Sequence, residues 1–599
     1  MEDTAGMQIY PRKLGGHVYY YAQRTFREKI DPAAHGKTKG SGKSRVRTEI
    51  IYLGTAEHIV EALTTARKPL EVRHRAFGFV GAVYQTAVEI GLVKLLQEHI
   101  DGSRFGLPRW QYFLLAILNR LEHATSKARM GEWAEDTVLP SLLDFNPKQL
   151  NSQTFWYVTD DVISERALRE ARKEKPELAD DLFAGLDDET FRKIEEAVVG
   201  NLQRQYHVYG DILLYDTTNF FTYIEEPVRA KLARTGHNKD CHHHLRQVGL
   251  ALCVDKQWGI PLFYRLYRGN GQDAKTFGQV AGELLEALRA GFTHIEQLVL
   301  VLDKGNNSED NFAALQDQVK WVGSLAPSHY EDLMAMPLKD YEGQWGECRY
   351  HRDRRTVMGI DCALVLTYND TLKRKQEHSL ENALQKLEKQ IRDKWNSYKR
   401  PPKGMPAGIT SLLNESHYKK CIKLRRKRGQ LVIERTGEVD KRRRHFGKNL
   451  LFCANPEAES GWIIEQYRAK DRIEDDFKLL KDPELIRWRP CRHWTDTKIR
   501  AFGFCCVMAL VLIRVMELKA ARAGLRMSPR VLKEELADLQ EITMVFDTTC
   551  ADIQITARGS IQQQLWDLYN LSTAENALTR HNSSAHPQSG QSLTRNENR

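Results

Sequence analysis

Between residues 206 and 330 apolar strands alternate with helices, and several of the strands run into an aspartate. "DILLYD" reads as a strand closed by Asp216, and "QLVLVLD" as a buried strand closed by Asp303. Between them, "RQVGLALCVD" and "IPLFYRLY" read as two strands joined by the turn "DKQWG", and "DAKTFGQVAGELLEALRAG" as an amphipathic helix with Gly291 at its C-cap. "SEDNFAALQDQV" predicts a helix with Ser308 as N-cap, and "WVGSL" a short strand after it. This order predicts a mixed α/β layer. A carboxylate at a strand end is out of the core yet held by the rigid sheet, a setting that suits metal binding. A single one is more usually a turn or cap residue.

The other segments divide by pattern. Residues 1–70 read as a small basic β-containing unit able to touch DNA, and 71–205 as a helical packing region with DNA contact as a second role. Residues 206–330 are the first part of the α/β core. Residues 331–460 interrupt it as an insertion domain, 461–520 complete it, 521–571 read as helical, and 572–599 as a Ser-, Asn- and Gln-rich disordered tail. Within the insertion, Lys419 to Lys448 hold 13 Lys or Arg against 3 acids. "QLVIE" and "NLLFCA" read there as paired strands, a basic hairpin that offers Arg425, Arg426, Lys427, Arg428, Arg442, Arg443 and Arg444 to phosphates.

A third carboxylate comes from "YRAKDRIEDDFKLLKD". Tyr467, Glu474 and Lys481 recur every seven residues, close to two helical turns, so they project from one face with Lys470 and Lys478 beside them. Ile473, Phe477 and Leu480 form the opposite, apolar face, and Pro483 stops the helix. Three carboxylates could hold two divalent cations for in-line displacement at phosphorus, and an oxygen-only donor set favours Mg²⁺, with Mn²⁺ as a substitute.

Together "LLYDTTNFF", "RGNGQD", "LVLDKGNNSEDN" and "YRAKDRIEDDFKLLK" resemble the DDE transposases of insertion sequences, and more narrowly the insertion-sequence-four-type branch with its Tyr–Arg–Glu–Lys signature. The strand order matches the ribonuclease-H-like topology, whose first and fourth strands lie side by side. The resemblance implies that Asp216, Asp303 and Glu474 bind the metals, and that Tyr467, Lys470, Arg472, Lys478 and Lys481 lie by the DNA end. Position 470 is Lys where the signature has Arg, so a guanidinium fork becomes a point charge there, and Arg472 or Arg468 could compensate. The implied activity is cleavage at terminal inverted repeats and joining of 3′-hydroxyl ends to target DNA, by a homodimer on double-stranded DNA. A catalytically inactive DNA-binding derivative and a ribonuclease-H-like nuclease without strand joining are the alternatives.

Several other classes fit poorly. Lys plus Arg number 89 against 79 Asp plus Glu, a mild basic excess of +10. The ten Cys read as reduced cytosolic thiols, and the resemblance implies a cytoplasmic protein that is nucleoid-associated when bound to DNA. The apolar run Cys505–Ile513 is too short to span a bilayer and reads as a buried core helix. "GSGKS" has Lys37 where a P-loop needs its first Gly, so no nucleotide cofactor is expected. His237, Cys241, His242, His243 and His244 crowd one loop without the second ligand pair of a zinc site. Trp488 and Trp494 flank a basic turn, as packing residues or as platforms for an unpaired base.

Overall fold

The computed structural model describes residues 7–29, 44–64, 69–208, 210–224, 229–236, 244–291, 295–398, 403–546 and 551–585. The described residues of 7–74 and 542–554 form one compact unit, and those of 75–541 and 555–585 another. In the first, strands β1 (Gln8–Leu14), β2 (His17–Lys29) and β3 (Ser44–Gly54) pair antiparallel. Tyr10 faces Tyr21, and Tyr21 faces Tyr52, with ring centroids 5.8 and 5.3 Å apart, the cross-strand aromatic pairing that favours a sheet.

The second unit opens with helices, as the apolar spacing of 71–205 predicts. Among them are α1 (Gly78–Glu89), α2 (Arg109–Glu122), α3 (Ser152–Val162) and α4 (Glu189–Tyr206). The chain then enters a mixed sheet through β4 (Ile212–Thr222), β5 (Arg246–Asp255) and β6 (Pro261–Arg268). Helix α5 (Asp273–Gly291) crosses over to β7 (Val299–Val301), and β8 (Lys320–Ser324) follows. Next come β9 (Gly343–Trp345), β10 (Cys348–Val357), β11 (Ile360–Tyr368), α6 (Asp370–Asn396), β12 (Ile422–Lys427), β13 (Gln430–Arg435) and β14 (Lys448–Cys453). The unit continues with α7 (Ser460–Arg468), α8 (Asp471–Lys481) and α9 (Asp496–Arg522), and α10 (Leu571–Ala585) comes last.

The sheet runs β6-β5-β4-β7-β8-β14-β11-β10-β9, with the short strand Arg234–Thr235 against β5. Strand β7 lies parallel to both β4 and β8, so the first and fourth strands of the layer are neighbours. The insertion does not stand apart from this layer. Its strands β14, β11, β10 and β9 extend the same sheet from the edge of β8. The hairpin predicted from "QLVIE" and "NLLFCA" is also re-paired. Strand β13 joins β12, whereas β14, whose Leu450, Leu451 and Phe452 are buried, goes into the main sheet.

Helix α9 packs on α1, α2, α3, α8 and β6. It is long and apolar enough to cross a membrane, but 89% of its apolar window is buried inside the protein, as expected of a core helix. Two stretches differ from expectation. Gln540–Val545 and Ala551–Ile555 are strands within a segment read as helical. Helix α10 occupies the first half of the supposed tail, because Leu571, Ala574 and Leu578 form a buried stripe at helical spacing.

Candidate carboxylate site on the central strands

The register of β7 on β4 sets Val299, Leu300 and Val301 beside Ile212, Leu213 and Leu214. Two residues beyond the last pair on each side come Asp303 and Asp216. The two residues stand on neighbouring parallel chains, whose backbones run about 4.8 Å apart where they pair, and the negative charge of both reaches Tyr467. Side chains alternate along a strand, so Asp216 shares the face that presents Ile212 and Leu214, and Val299 and Val301 lie on the same face of the neighbouring strand that leads to Asp303. Val299 on that face is buried with Ile463 and Ile464 of α7, and Ile212 and Tyr467 pack against the same cluster.

Asp216 does not end its strand. Strand β4 runs on through Thr217, Thr218 and Asn219 to Thr222, so Asp216 is a mid-strand residue, and its Oδ1 accepts the Thr217 N–H at 2.8 Å. Asp303 does stand just past its strand. The loop behind it is tied to α5: Asn311 Nδ2 donates to Ala274 O at 2.8 Å and Asn306 O at 2.7 Å, while Ser308 Oγ caps the next helix by accepting the Asn311 N–H.

The helical partner is broken where the seven-residue spacing implied one helix. Arg468 ends α7 and Asp471 starts α8, with Lys470 between them, so Tyr467 lies on one segment and Glu474 and Lys481 on the next. The Tyr467 hydroxyl lies 2.8 Å from Ser324 Oγ and 3.2 Å from Asp303 Oδ1. It has one hydrogen, so it donates to the carboxylate and accepts from the serine. Burial, then the nearby negative charge of Asp303 and Asp216, raises the Tyr467 phenol above its usual range, so it stays a donor. Lys470 is almost fully buried, with Nζ 3.2 Å from Asp303 Oδ1. Burial pushes the Asp303 carboxyl up, but Lys470, the Lys304 N–H and Tyr467 outweigh it, and the group sits below the ordinary carboxylate range.

The remaining expected residues spread out. Ile473, Phe477 and Leu480 are buried as predicted, while Glu474 on the same helix is exposed. Among the described residues no three Asp, Glu, His or Cys side chains gather as a metal-holding group. Arg472 is committed inward, donating to Trp258 O at 2.7 Å and lying 3.5 Å from Glu517. Lys478 pairs with Asp475 at 2.7 Å, and Lys481 lies 5.7 Å from the Phe220 ring centroid. In the basic hairpin, Arg425 pairs with Glu434 at 3.2 Å and Arg426 donates to Lys403 O. Arg442 covers the Tyr418 ring and Arg443 lies 3.7 Å from both Glu381 and Asp440. Lys427, Arg428 and Arg444 are exposed. Of the histidine-rich loop, His237, Cys241, His242 and His243 lie outside the described residues.

No protein-family model and no curated protein matches the chain. Among solved structures it is similar to the piggyBac transposase synaptic complex with hairpin DNA, at 11% identity over 77% of each chain with a TM-score of 0.38. It is also similar to the Mos1 transposase paired-end complex with left transposon end, at 14% identity over 39% of this chain and 64% of that one, with a TM-score of 0.14. Scores this low do not establish a shared fold. The functional reading therefore rests on this chain's own residues.

Sequence reasoning missed Ser324, whose hydroxyl lies 2.8 Å from that of Tyr467 and can donate to it while Tyr467 donates to Asp303. Nothing in "WVGSL" signals that role, because it arises from β8 lying beside β7.

Proposed function

We propose that this chain is a DDE-type DNA transposase with a ribonuclease-H-like core. In this reading it binds the terminal repeats of an insertion sequence, cleaves DNA there and joins the 3′-hydroxyl ends to target DNA. The observation that carries the reading is that Asp216 and Asp303 each follow the paired segment of neighbouring parallel strands by two residues, with Tyr467 and Lys470, from the helix pair that also bears Glu474, against Asp303.

The donor set fits a hard divalent cation in part. Two carboxylates stand on neighbouring parallel chains, and Asp303 is held ionised, as a ligand must be. Glu474 is not gathered with them. Asp216 and Asp303 would hold Mg²⁺ or Mn²⁺, with Glu474 as the third ligand of the proposed set. When bound, the metal supplies activation of the attacking oxygen and stabilisation of the leaving one. The chain's own groups do the positioning. Tyr467 orients the Asp303 carboxylate, and Lys470 offsets its charge. The exposed cations of the β12–β13 hairpin grip the duplex backbone without reading bases. A homodimer would bring two ends together.

One observation favours a second reading. Lys470 already satisfies Asp303 and Glu474 stands apart, as in a DNA-binding protein that has lost catalysis. Purified protein, Mg²⁺ and a duplex carrying the ends of the encoding element decide between them. Metal-dependent 3′-end cleavage and strand joining by wild type, lost in Glu474→Gln, supports the transposase. End binding without cleavage supports the inactive derivative, and cleavage without joining supports a nuclease.

A further inference from the structure

A cleft of about 890 Å³ opens between α2, α3 and the loop after α8. Eight Lys or Arg side chains line it, among them Arg120, Lys127, Arg487, Arg492 and Lys498, and no Asp or Glu among the described residues does. The buried end of the cleft is itself cationic. Lys127 Nζ has its hydrogen-bond contact with a ring nitrogen, His493 Nδ1 at 3.3 Å, and Arg120 donates to Asn119 Oδ1 and Thr125 O. Lys498 is paired with Asp160 at 2.5 Å, a carboxylate that does not line the cleft. Burial, with Lys498 and Arg120 nearby, pushes the Lys127 ammonium down to about 8, and burial with Lys127, Arg120 and Lys498 holds His493 well below the usual imidazole range. Gathering like charges away from water is costly unless an anion completes them.

The same cleft carries aromatic faces. Trp494, 63% exposed, lines it beside Arg492, and the half-buried Trp156 and Phe502 line it too, with Lys498 Nζ 4.6 Å from the Trp156 ring centroid and the Arg120 guanidinium 5.5 Å from that of Phe502. Cations that hold a phosphate, with aromatic faces that take a planar ring, are the chemistry of nucleotide binding. The volume lies within the range of about 300–1,000 Å³ that small-ligand sites span.

The loop is anchored to the strand that bears Asp216. Cys491 bridges to Thr222, with Cys491 N–H donating to Phe221 O at 3.2 Å, and Trp488 stacks on Phe220 at 4.3 Å. Thr222 is six residues along β4 from Asp216, which puts the cleft's loop about 20 Å from the carboxylates. The cleft is thus a separate site on a rigid element shared with the first.

We propose that this cleft binds a nucleotide, its phosphate on the Arg120–Lys127 end and its base against Trp494 or Trp156. The nucleotide is either a residue of the DNA substrate turned out of its stack or a free nucleotide. The first source rests on the proposed DNA chemistry, and the second does not.

The test uses the full chain with two probes. Equilibrium dialysis compares deoxyadenosine monophosphate with deoxyadenosine and with inorganic phosphate. A duplex carrying 2-aminopurine at each position near the cleaved end reports a turned-out base by fluorescence. The variant is Arg492→Ala with Trp494→Ala, both exposed positions, and Lys127→Gln is the second variant. The expected result is tighter binding of the monophosphate than of either fragment, weakened at least tenfold in both variants. Brightening at one duplex position, suppressed by the monophosphate, assigns the DNA source, and monophosphate binding with no brightening assigns the free one. Monophosphate binding no tighter than phosphate together with a dark duplex overturns the proposal, as does equal binding by the variants. Cleavage by wild type without either signal sinks the cleft and leaves the transposase reading standing. Monophosphate binding without cleavage does the reverse.

Discussion

Replacing Asp188 with Asn should weaken the fold by an amount that depends on pH. Asp188 is buried just before α4, and Arg500 of α9 meets its Oδ2 at 2.6 Å. Arg265 of β6 reaches the same oxygen at 2.9 Å, and Arg192 lies 3.1 Å from Oδ1. Burial alone would raise this carboxyl, but Arg500 and Arg265 outweigh it and hold it down to about 2. Against an ordinary value of 3.8, that depression corresponds to about 2 kcal/mol at neutral pH. A depressed acid contributes stability that is present above its unfolded value and lost as pH falls through its folded one. The window here runs from about pH 4 down to about pH 2. Asn also leaves two buried guanidinium groups short of a counter-charge, so the loss at pH 7 should reach about 3–5 kcal/mol. Arg500 keeps Glu195 at 2.7 Å and Tyr264 at 2.6 Å, which places the loss at the lower end. Urea denaturation of wild type and variant across pH 2–7 measures the gap directly. It should narrow by about 2 kcal/mol towards pH 2. A gap below about 0.5 kcal/mol at pH 7, the scatter of ordinary surface changes, would refute the reasoning, as would one independent of pH.

Three further outcomes follow from the site. Tyr467→Phe removes the hydrogen given to Asp303, so the carboxyl should rise and the acid limb of the cleavage-rate profile should move to higher pH. An unmoved limb contradicts the hydrogen bond. Lys470→Met should strip Asp303 of its cation and lower end cleavage about 10- to 100-fold, a loss of about 1.4–2.8 kcal/mol, while Lys470→Arg should retain most of it in the same gel assay. Changing Lys427, Arg428 and Arg444 to Gln should weaken duplex binding uniformly across sequences. It should also lower the salt slope of log K by about 1 for each phosphate no longer neutralised, as filter binding at several salt concentrations would show.

Local chemistry carried much of this architecture into the sequence. Leu213, Leu214 and Tyr215 before Asp216, and Leu300, Val301 and Leu302 before Asp303, are apolar runs with one structural outcome, and both became central strands. Ile473, Phe477 and Leu480 were legible for the same reason. What failed was decided by distant partners. Thr217, Thr218 and Asn219 look like the exit from a strand, yet they continue β4 because β5 pairs with it along its length. Leu450 to Phe452 suit a hairpin as well as a sheet, and the edges of β8 and β11 on either side select the sheet. The break between Arg468 and Asp471 contains no Pro or Gly to announce it. The basic cleft joins Lys127 to His493 across 366 residues, a pairing that no spacing rule can reach.

The central claim is that Asp216 and Asp303 together form a divalent-cation site. Electron paramagnetic resonance of Mn²⁺ titrated into wild type, Asp216→Asn and Asp303→Asn measures it without requiring DNA or turnover. Binding by wild type that is lost in each single variant, with both variants keeping the wild-type denaturation midpoint, is the expected result. Undiminished Mn²⁺ binding in either variant contradicts the account.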